Sequence, residues 1–349
     1  MKKWKVGIVG CGCIADMAHF PAYTESGLKD RVDLVACADI KIEKAKAAAE
    51  KFGVPNYYGS VEDMLAAHPD LDYVDVCVWT AAHAPVVIAA AKAGKDVICE
   101  KPCAASLEQA LEMQRVIKET GVRFMLAVCT RYGSEQQKFI ELRDKGVFGD
   151  IYAAKTAYVR RRGTPGGWFV DKRYAGGGPV LDIGVHAIDR TWYLMGKPKP
   201  VTVSAETSYR IGKNDIDDTF DWNGADTGEY VYNTEDSAFV FFRFEGGKTM
   251  TADISWIING KEANYSVLYG DRAGATFEPL TVYGDNGEKV TNEVLEVPGN
   301  DFYYEELVHF VDCMDNNCDP ISGIDDAVTV QRMIDGIYRS AEEHREVTI

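Results

Sequence analysis

The sequence predicts an α/β protein with two domains: an N-terminal parallel sheet covered by helices, and a C-terminal α+β domain with a large, mostly antiparallel open sheet. The chain has 349 residues, more than one ordinary domain requires. In residues 1–125, continuous apolar runs alternate with helical patterns, which is typical of a parallel sheet covered on both faces. After Gly146, strand-like segments joined by glycine turns dominate. We therefore expect domains at residues 1–125 and 126–349.

The first domain is predicted to contain strands separated by helices. Gly53, Gly94 and Gly121 each follow a helical pattern, at the place where a left-handed cap is favoured. Ser106 and Gln109 form a capping box that begins the last of these helices. The predicted strands lie at residues 5–9, 34–38, 73–78, 96–99 and 123–127. The predicted helices lie at residues 14–26, 42–52, 61–68, 83–93 and 107–120.

The second domain is predicted to consist mainly of strands. Turns at residues 245–247 and 284–287 indicate antiparallel hairpins. A helix at residues 134–145 is expected to begin at a capping box of Ser134 and Gln137, and the acidic segment 215–235 is predicted to be a mobile loop. The predicted strands lie at residues 151–160, 201–208, 238–244, 249–254, 265–269, 276–283 and 290–297. Further helices are predicted at residues 180–195, 303–316 and 325–343.

Charge and composition exclude several classes of function. The chain has 38 Lys and Arg residues against 54 Asp and Glu residues, a formal net charge of −16. A protein with this charge repels DNA, RNA and anionic membranes, so we expect neither a nucleic-acid nor a membrane partner. Every apolar run falls short of the roughly 18 residues needed to cross a bilayer.

The nine cysteines favour a reducing compartment. Their number is odd and their spacing irregular, which argues against a disulfide framework. The predicted location is therefore the cytoplasm. Cys11-x-Cys13 lacks the further histidine or cysteine ligands of a zinc site, so no metal is predicted.

The segment after the first strand predicts a dinucleotide site. Residues 10–15 have the pattern G-x-G-x-x-A between a strand and a helix. Gly10 permits the tight turn, Gly12 lets the backbone approach a pyrophosphate, and Ala15 lets the helix pack closely on the sheet. The helix N-terminus near Cys13 and Ile14 would face the phosphate charge with free N–H groups. We predict that these five residues bind a dinucleotide cofactor.

Asp39, at the end of the second strand, bears on which dinucleotide binds. A carboxylate there can accept hydrogen bonds from both ribose hydroxyls of NAD and would repel the 2′-phosphate of NADP. The prediction is therefore NAD. Lys41 and Lys44 lie nearby and leave NADP open as the cofactor. Alternatively, Asp39 only caps the helix that follows.

Two other segments hold candidate catalytic residues. Lys101 follows a strand at the sheet edge where open parallel sheets bind ligands, so it either donates to a substrate oxygen or is a surface lysine in a turn. Asp182 and His186 lie four residues apart on one helix face, after a glycine-rich entry. Histidine is suited to proton transfer near neutral pH. The alternative for this pair is an ordinary hydrogen-bonded surface pair.

Taken in order, these motifs resemble the Gfo/Idh/MocA oxidoreductases over nearly the whole chain. The resemblance implies a Rossmann domain that binds NAD or NADP, and a C-terminal sheet that builds homodimers or homotetramers. It also implies a sugar or cyclitol substrate and a catalytic group of Lys101, Asp182 and His186. The matching segments are Gly10-x-Gly12-x-x-Ala15, Asp39, Glu100-Lys101-Pro102 and Gly177-Gly178…Asp182-Ile183-Gly184-x-His186.

The chain departs from the family pattern in two places. Family members often have Thr-Pro-Asn ahead of a histidine, where this chain has Trp79 and Thr80 ahead of His83. We still expect these three residues and Glu100 at the cofactor, with the bulky Trp79 near the nicotinamide. The family's Asn-Arg-Phe-like stretch appears here around Arg131, which is expected at the substrate.

Further candidates line the predicted substrate site. Arg160 lies in a basic, aromatic segment and would bind an anionic group, while Trp168 would stack on a pyranose ring. The alternative for this segment is a strand end with solvated arginines. His19, which follows the glycine loop, is expected to line the pocket.

The predicted function is hydride transfer between NAD(P) and a hydroxyl-bearing carbon of a sugar, cyclitol or sugar derivative. His186, with Lys101, would take the hydroxyl proton, and Asp182 would bind or orient the substrate. Two alternatives use the same residues. One is an NAD-dependent glycosidase that oxidises the sugar transiently and eliminates the aglycone, and the other is a non-catalytic sensor of NAD and sugar.

Overall fold

A computed structural model of the chain describes residues 3–212 and 228–349. The predicted mobile loop at residues 215–235 therefore lies mostly outside the described residues. The chain falls into two compact units. The first comprises Met1–Val128, Arg173–Gly176 and Tyr303–Gln331, and the second comprises Cys129–Lys172, Gly177–Phe302 and Arg332–Ile349.

The first unit is built on a parallel sheet, as the sequence predicts. Over the described residues the sheet has six strands in the order β3-β2-β1-β4-β5-β6, which is the doubly wound order of a Rossmann domain. This order reverses between β1 and β4, where such sheets bind ligands beyond the carboxyl ends of the strands. The strands are β1 Trp4–Val9, β2 Val32–Ala38, β3 Tyr57–Tyr58, β4 Tyr73–Val76, β5 Asp96–Glu100 and β6 Phe124–Ala127.

Helix caps that the sequence predicts are present in this unit. Gly53 and Gly121 are the C-caps of their helices, Gly94 follows the C-cap Ala93, and all three glycines have the positive φ of a left-handed cap. The side chain of Ser106 accepts a hydrogen bond from the backbone N–H of Gln109 at 3.3 Å, so the predicted cap is confirmed.

The helices lie close to their predicted bounds. None of the described helices is both long enough and apolar enough to cross a membrane. Two π-helical turns, Ala15–His19 and Val180–Gly184, directly precede α1 and α8. The α-helices are α1 Phe20–Thr24, α2 Ile42–Phe52, α3 Val61–Ala67, α4 His83–Lys92, α5 Leu107–Thr120, α6 Ser134–Asp144, α7 Lys172–Ala175, α8 Val185–Leu194, α9 Phe302–Asn316 and α10 Ile324–Glu343.

The second unit contains a large, mostly antiparallel sheet, so this part of the predicted fold class is also confirmed. Over the described residues it has nine strands in the order β14-β13-β12-β11-β7-β10-β9-β8-β15. The one parallel pairing among these strands joins β7 to β10. The strands are β7 Ile151–Val159, β8 Pro200–Ser208, β9 Ser237–Phe244, β10 Thr249–Ser255, β11 Ala263–Gly270, β12 Gly274–Thr276, β13 Thr281–Asp285, β14 Val290–Val294 and β15 Val347–Thr348.

The two faces of this sheet differ. On one face α8 packs against the centre, where the Thr156 hydroxyl lies 3.4 Å from the backbone oxygen of Ala187. On the other face aromatic side chains are exposed, among them Phe239, Tyr265 and Tyr269. Phe239 is 50% exposed although it lies within a strand. This exposed aromatic face is available for contact with another surface.

The predicted strand at residues 276–283 is wrong. The structure has two strands there, β12 and β13, separated by a turn. Glu278 has a φ of 62° and Pro279 has no N–H, so neither can continue a regular ladder. The backbone N–H groups of Glu278 and Leu280 instead donate to the carboxylate of Glu135, at 2.8 Å and 3.0 Å.

The predicted capping box at Ser134 is also wrong. Ser134 is the first helical residue and Gly133 is the N-cap, which makes no side-chain cap hydrogen bond. The backbone N–H of Ser134 donates to the side-chain oxygen of Asn300 at 3.0 Å. A distant side chain therefore satisfies the N–H that the capping-box pattern assigns to a local partner.

Candidate active site

The glycine loop has the geometry that a dinucleotide requires. Gly10 has a φ of 97°, and a Cβ there would lie 2.4 Å from the backbone oxygen of Cys77, so only glycine fits. A Cβ on Gly12 would meet nothing within 4 Å, so the space beside this residue is open. Ala15 is completely buried under the helix that follows. The residues present therefore fit a pyrophosphate beside the Gly12 backbone.

The start of the following helix is accessible. Ile14 is the N-cap of the turn Ala15–His19 and makes no side-chain cap hydrogen bond. Cys13 is exposed and Ile14 is partly exposed. This arrangement is consistent with the predicted contact between these residues and a cofactor phosphate.

Asp39 is held at the end of β2 by two backbone groups. Its Oδ2 accepts a hydrogen bond from the N–H of Cys11 at 2.9 Å, and its Oδ1 accepts one from the N–H of Lys41 at 2.8 Å. The carboxylate thus touches the glycine loop directly and remains partly exposed. Both roles considered for Asp39 are compatible with this geometry, because the Lys41 N–H belongs to the N-cap of α2.

Glu100 and Lys101 lie at the carboxyl end of β5. One carboxylate oxygen of Glu100, Oε2, accepts the backbone N–H of Lys101 at 3.0 Å. The other, Oε1, lies 3.1 Å from Nε2 of His19. Glu100 is buried and Lys101 is partly exposed, so the glutamate holds the backbone from which the lysine side chain extends.

His19 is buried and faces carboxyl groups. Its Nδ1 lies 2.7 Å from Oδ2 of Asp75, which also accepts the Tyr23 hydroxyl at 3.0 Å. Burial alone would lower the pKa of His19, but the negative charge of Asp75 raises this pKa well above the ordinary histidine value. The residue expected to line the pocket is only 1% exposed. It therefore acts inside the protein rather than on a ligand.

The three residues at the end of β4 differ in their exposure. His83 is buried, with Nδ1 2.7 Å from the oxygen of Pro102 and Nε2 3.0 Å from the oxygen of Val78. Burial lowers the pKa of His83, which favours the neutral ring. Thr80 is also buried, whereas Trp79 is partly exposed and contacts the ring of Tyr174 edge-on at 5.9 Å.

Asp182 and His186 differ from the rest of their segment in the second unit by being accessible to solvent. Over residues 177–195, all of which the structure describes, every residue except these two is buried. Oδ2 of Asp182 accepts a hydrogen bond from the indole N–H of Trp256 at 2.8 Å. The π-helical turn Val180–Gly184 contains Asp182, and π-helical turns occur frequently at functional sites. The segment thus exposes one acid and one imidazole from an otherwise buried helix.

Tyr158 lies beside His186, and Arg160 lies beside Tyr158. The rings of Tyr158 and His186 are 6.5 Å apart, and the Arg160 guanidinium lies 5.4 Å from the centre of the Tyr158 ring. One guanidinium nitrogen of Arg160 donates to the backbone oxygen of Gly163 at 3.1 Å. Tyr158 therefore lies between the Arg160 guanidinium and the His186 ring, and the role of Arg160 toward a substrate stays a prediction.

Arg131 and Trp168 have partners of their own. Arg131 donates two hydrogen bonds to the carboxylate of Asp189, at 2.8 Å and 2.6 Å, and both side chains are 1% exposed. Arg131 therefore anchors the helix that contains His186. Trp168 is partly exposed and stacks on Phe169 with ring centres 3.9 Å apart.

The sequence did not reveal the role of Glu235, which lies in the segment predicted to be a mobile loop. Glu235 is completely buried, and its Oε1 accepts hydrogen bonds from the N–H of Gly178, the N–H of Val180 and the hydroxyl of Tyr338 at 2.9, 3.2 and 2.8 Å. Burial raises its pKa, and the hydrogen bond from Tyr338 opposes this shift. Glu235 thus fixes the backbone just ahead of Asp182. The sequence shows only a glutamate in an acidic segment, and it contains no signal that this glutamate is buried or that it holds a helix entry.

Two family models match nearly the whole chain. The model described as the oxidoreductase family, NAD-binding Rossmann fold, matches residues 4–128, and the model of its C-terminal alpha/beta domain matches residues 140–349. The chain belongs to the Gfo/Idh/MocA oxidoreductase family. Its N-terminal unit is accordingly an NAD-binding Rossmann domain, so the predicted cofactor class is confirmed.

Individual proteins resemble this Gfo/Idh/MocA oxidoreductase over nearly their full length. The D-glucoside 3-dehydrogenase of Escherichia coli (strain K12) is 31% identical over 351 residues, which cover 99% of this chain and 97% of that protein. The D-xylose 1-dehydrogenase (NADP(+)) 2 of Haloferax volcanii is 27% identical and covers 96% and 97% of the two chains. The fold is similar to that of levoglucosan dehydrogenase in complex with NADH and L-sorbose, with a TM-score of 0.86, 22% identity and coverage of 100% and 99%.

The three residues predicted to be catalytic are divided between the two units of this Gfo/Idh/MocA oxidoreductase. Lys101 belongs to the first unit, and Asp182 and His186 belong to the second. Within their own units each has defined neighbours: Glu100 at the Lys101 backbone, Trp256 at Asp182 and Tyr158 at His186.

Proposed function

We propose that this protein is an NAD-dependent dehydrogenase that oxidises a ring hydroxyl of a D-glucoside, with carbon 3 as the reacting carbon. One observation carries the proposal: Asp182 and His186 are the two residues left accessible in the otherwise buried stretch 177–195. The substrate class follows the full-length similarity to the D-glucoside 3-dehydrogenase of Escherichia coli. An accessible acid and imidazole on one helix suit a substrate whose hydroxyl must lose a proton.

The proposed reaction breaks one C–H bond and one O–H bond of the sugar. When bound, NAD supplies a nicotinamide ring that accepts the hydride from the carbon. His186 accepts the hydroxyl proton, and the Lys101 ammonium stabilises the negative charge that develops on the sugar oxygen. Asp182, held by Trp256, accepts a hydrogen bond from a neighbouring hydroxyl and fixes the position of the ring. The products are a keto sugar, NADH and a proton.

Other residues are proposed to contact the cofactor or the rest of the sugar. The glycine loop and the cluster of Trp79, Thr80, His83 and Glu100 would position NAD. Arg160 would bind oxygen atoms of the substrate beside Tyr158, and the partly exposed Trp168 would stack on a sugar ring. Arg131 would act on the substrate indirectly, because its guanidinium is bound to Asp189.

NAD is proposed as the preferred cofactor because of Asp39. Its carboxylate lies at the end of β2 and touches the glycine loop through the N–H of Cys11. A negative charge in this place repels the 2′-phosphate of NADP. The NADP-named relative from Haloferax volcanii is the reason to compare both cofactors in every assay.

We also propose which domain binds the cofactor, which domain binds the substrate, and how copies of the chain assemble. Residues 1–125 would bind the cofactor, and residues 126–349 would bind the substrate and build a homodimer or homotetramer in the cytoplasm. The aromatic face with Phe239, Tyr265 and Tyr269 would receive a second copy of the chain, since Lys155 and Asp253 on this face offer charges of both signs. Light scattering of the purified protein tests the assembly, and a monomer would contradict it.

A steady-state assay tests the proposed function. NADH formation is followed at 340 nm with methyl glucosides and free sugars, and the product is identified by NMR. A keto glucoside formed with one equivalent of NADH supports the proposal. Cleavage of the glycoside without net NADH would favour the glycosidase, and NAD binding without turnover would favour the sensor. If Lys101→Met leaves turnover intact while NAD still binds, the role of Lys101 is wrong.

A further inference from the structure

We propose that His19 is a positioning residue for Lys101: it bridges Asp75 and Glu100, and Glu100 in turn holds the Lys101 backbone. The three bridge residues come from three elements of the Rossmann unit, since His19 ends a helical turn, Asp75 lies in β4 and Glu100 ends β5. The inference rests on the proposed function, because it takes Lys101 as a catalytic residue.

The hydrogen bonds at Asp75 indicate that Nδ1 of His19 carries a proton. Oδ2 of Asp75 accepts the Tyr23 hydroxyl at 3.0 Å and lies 2.7 Å from Nδ1 of His19. Oδ1 of Asp75 accepts the Cys77 thiol at 3.4 Å. Both oxygens of Asp75 thus already accept a donor, as those of an ionised carboxylate do. Nδ1 of His19 therefore carries a proton and donates it to Asp75.

The hydrogen bonds at Glu100 indicate that Nε2 of His19 carries a proton as well. Oε2 of Glu100 accepts the N–H of Lys101 at 3.0 Å, and Oε1 lies 3.1 Å from Nε2 of His19. In the proposed bridge Glu100 is ionised and its oxygens only accept, so Nε2 donates. His19 is therefore protonated on both nitrogens, which agrees with the raised pKa of its ring. The chain of bonds runs from Asp75 through His19 and Glu100 to the backbone of Lys101.

The surroundings explain why this cation matters for position. Cys77 and Glu306 also lie close to the ring, and His19, Asp75, Glu100 and Glu306 are all buried. Buried carboxylates need a partner charge or hydrogen-bond donors, and His19 supplies both to Asp75 and Glu100. Without His19, Oε1 of Glu100 loses this donor, and the carboxylate must rotate or shift toward another one. Either change weakens its hydrogen bond to the Lys101 N–H.

The bridge also connects Lys101 with the cofactor segment. The turn Ala15–His19 begins directly after the glycine loop, whose Gly12 lies beside open space. His19 therefore fixes the far end of this turn relative to the end of β5. We expect its loss to displace Lys101 more than it disturbs cofactor affinity, because the glycine loop itself keeps its bonds to Ala38 and Asp39.

A buried metal ion is the competing explanation of this cluster. His19 with Asp75 and Cys77, or His19 with Glu100 and Glu306, has ligand atoms within 4.8 Å of one another. A metal would need a ring nitrogen without its proton, whereas both nitrogens lie at hydrogen-bond distance from carboxylate oxygens. The metal content of the purified protein therefore distinguishes the hydrogen-bonded bridge from a metal site.

The experiment compares the full-length wild type with His19→Gln and with His68→Gln as the matched control. His68 belongs to the same unit and bonds the Tyr58 hydroxyl at 3.0 Å, but it is absent from the Glu100 network. Each protein is labelled with 15N-lysine, and Lys101→Met assigns the Lys101 amide signal. Amide hydrogen exchange at Lys101, the Kd for NAD, kcat, the sugar KM and the metal content are measured.

For His19→Gln we expect Lys101 exchange to accelerate at least about tenfold. We expect kcat to fall about 100-fold, with Kd for NAD and sugar KM changed less than about threefold. His68→Gln should leave all five measured quantities unchanged. Unchanged Lys101 exchange in His19→Gln, or one equivalent of metal bound through His19, would overturn the bridge. If the wild type oxidises no sugar, the proposed function fails, while the Lys101 amide still decides whether His19 holds this backbone.

Discussion

The indole N–H of Trp256 donates to a carboxylate oxygen of Asp182 at 2.8 Å. Trp256 is completely buried just after β10, whereas Asp182 is partly exposed. A rigid donor thus fixes the direction of an accessible carboxylate in the proposed active site. Hydrogen bonds to charged groups contribute about 1.5–3 kcal/mol, enough to decide how this carboxylate meets a substrate.

Trp256→Phe removes this donor and leaves an aromatic ring in the core. We expect kcat/KM for the sugar to fall about tenfold, because Asp182 loses its fixed orientation, while Kd for NAD stays the same. Steady-state kinetics and cofactor titration check this. Trp192→Phe is the control, since the Trp192 indole is also buried but donates to the backbone oxygen of Pro198. Equal kinetic losses in the two variants would show that Asp182 orientation is not the cause.

Replacement of Glu235 tests the anchor ahead of Asp182. Glu235→Leu leaves two backbone N–H groups and the Tyr338 hydroxyl without their acceptor, and each buried unsatisfied group costs about 1–3 kcal/mol. We expect the free energy of unfolding to fall by about 3 kcal/mol or more, measured by urea denaturation. Glu235→Gln keeps an oxygen for these three donors and should lose less. A Gln variant as unstable as the Leu variant would contradict this explanation.

The bridge at His19 predicts a pH-dependent stability. Its folded-state pKa is raised above the unfolded value of about 6.5, so proton binding stabilises the folded protein. This contribution is fully present below about pH 6.5 and is lost as the pH rises through the raised folded value. Besides Asp75, Glu100 and Glu306, the ring faces Cys77, whose pKa burial raises so that its thiol stays neutral.

We therefore expect the difference in free energy of unfolding between wild type and His19→Gln to be larger at about pH 6 than at about pH 10. Urea denaturation at several pH values measures this difference. His68→Gln, measured in parallel, should give a difference that does not share this trend. A constant difference for His19→Gln across the range would show that His19 is neutral in the folded protein.

Asp39→Asn tests cofactor selection. The amide keeps an oxygen that can bond a backbone N–H of the glycine loop, but it removes the negative charge at the end of β2. Placing like charges together costs several kcal/mol, so we expect the ratio of kcat/KM for NAD to that for NADP to fall about 10–100-fold. Asp33→Asn, on the same strand but exposed, is the matched control. An unchanged ratio in Asp39→Asn would mean that Asp39 only holds the loop and caps α2.

Local signals in the sequence defined most of the fold. The helices Ile42–Phe52 and Leu107–Thr120 have the predicted bounds because a glycine ends each of them, and Ser106 caps the second. The failures arose where distant residues replaced a local rule. Ser134 has the pattern of a cap, but Asn300 bonds its N–H, and the segment before Leu280 leaves the sheet to bond Glu135. Such partners lie more than a hundred residues away in the chain.

In the candidate site, too, residues in local motifs could be proposed from the sequence, whereas residues with distant partners could not. Lys101, Asp182 and His186 could be proposed as site residues from the sequence, because each belongs to a motif that resembles a family pattern. The sequence could not reveal that His19 and Glu235 are buried, because a histidine after a loop and a glutamate in an acidic segment usually face solvent. Their roles depend on partners from other elements, such as Asp75 and Tyr338, which only the folded chain brings together.

Transfer of a labelled hydride tests the central claim most directly. The protein is incubated with NAD and a methyl glucoside that carries deuterium at carbon 3, and the reduced cofactor is analysed by mass spectrometry. We expect one deuterium in the NADH formed, a 3-keto glucoside as the product, and a loss of rate of about 10²–10⁴-fold in His186→Ala. Unlabelled NADH, or wild-type turnover in His186→Ala, would contradict it.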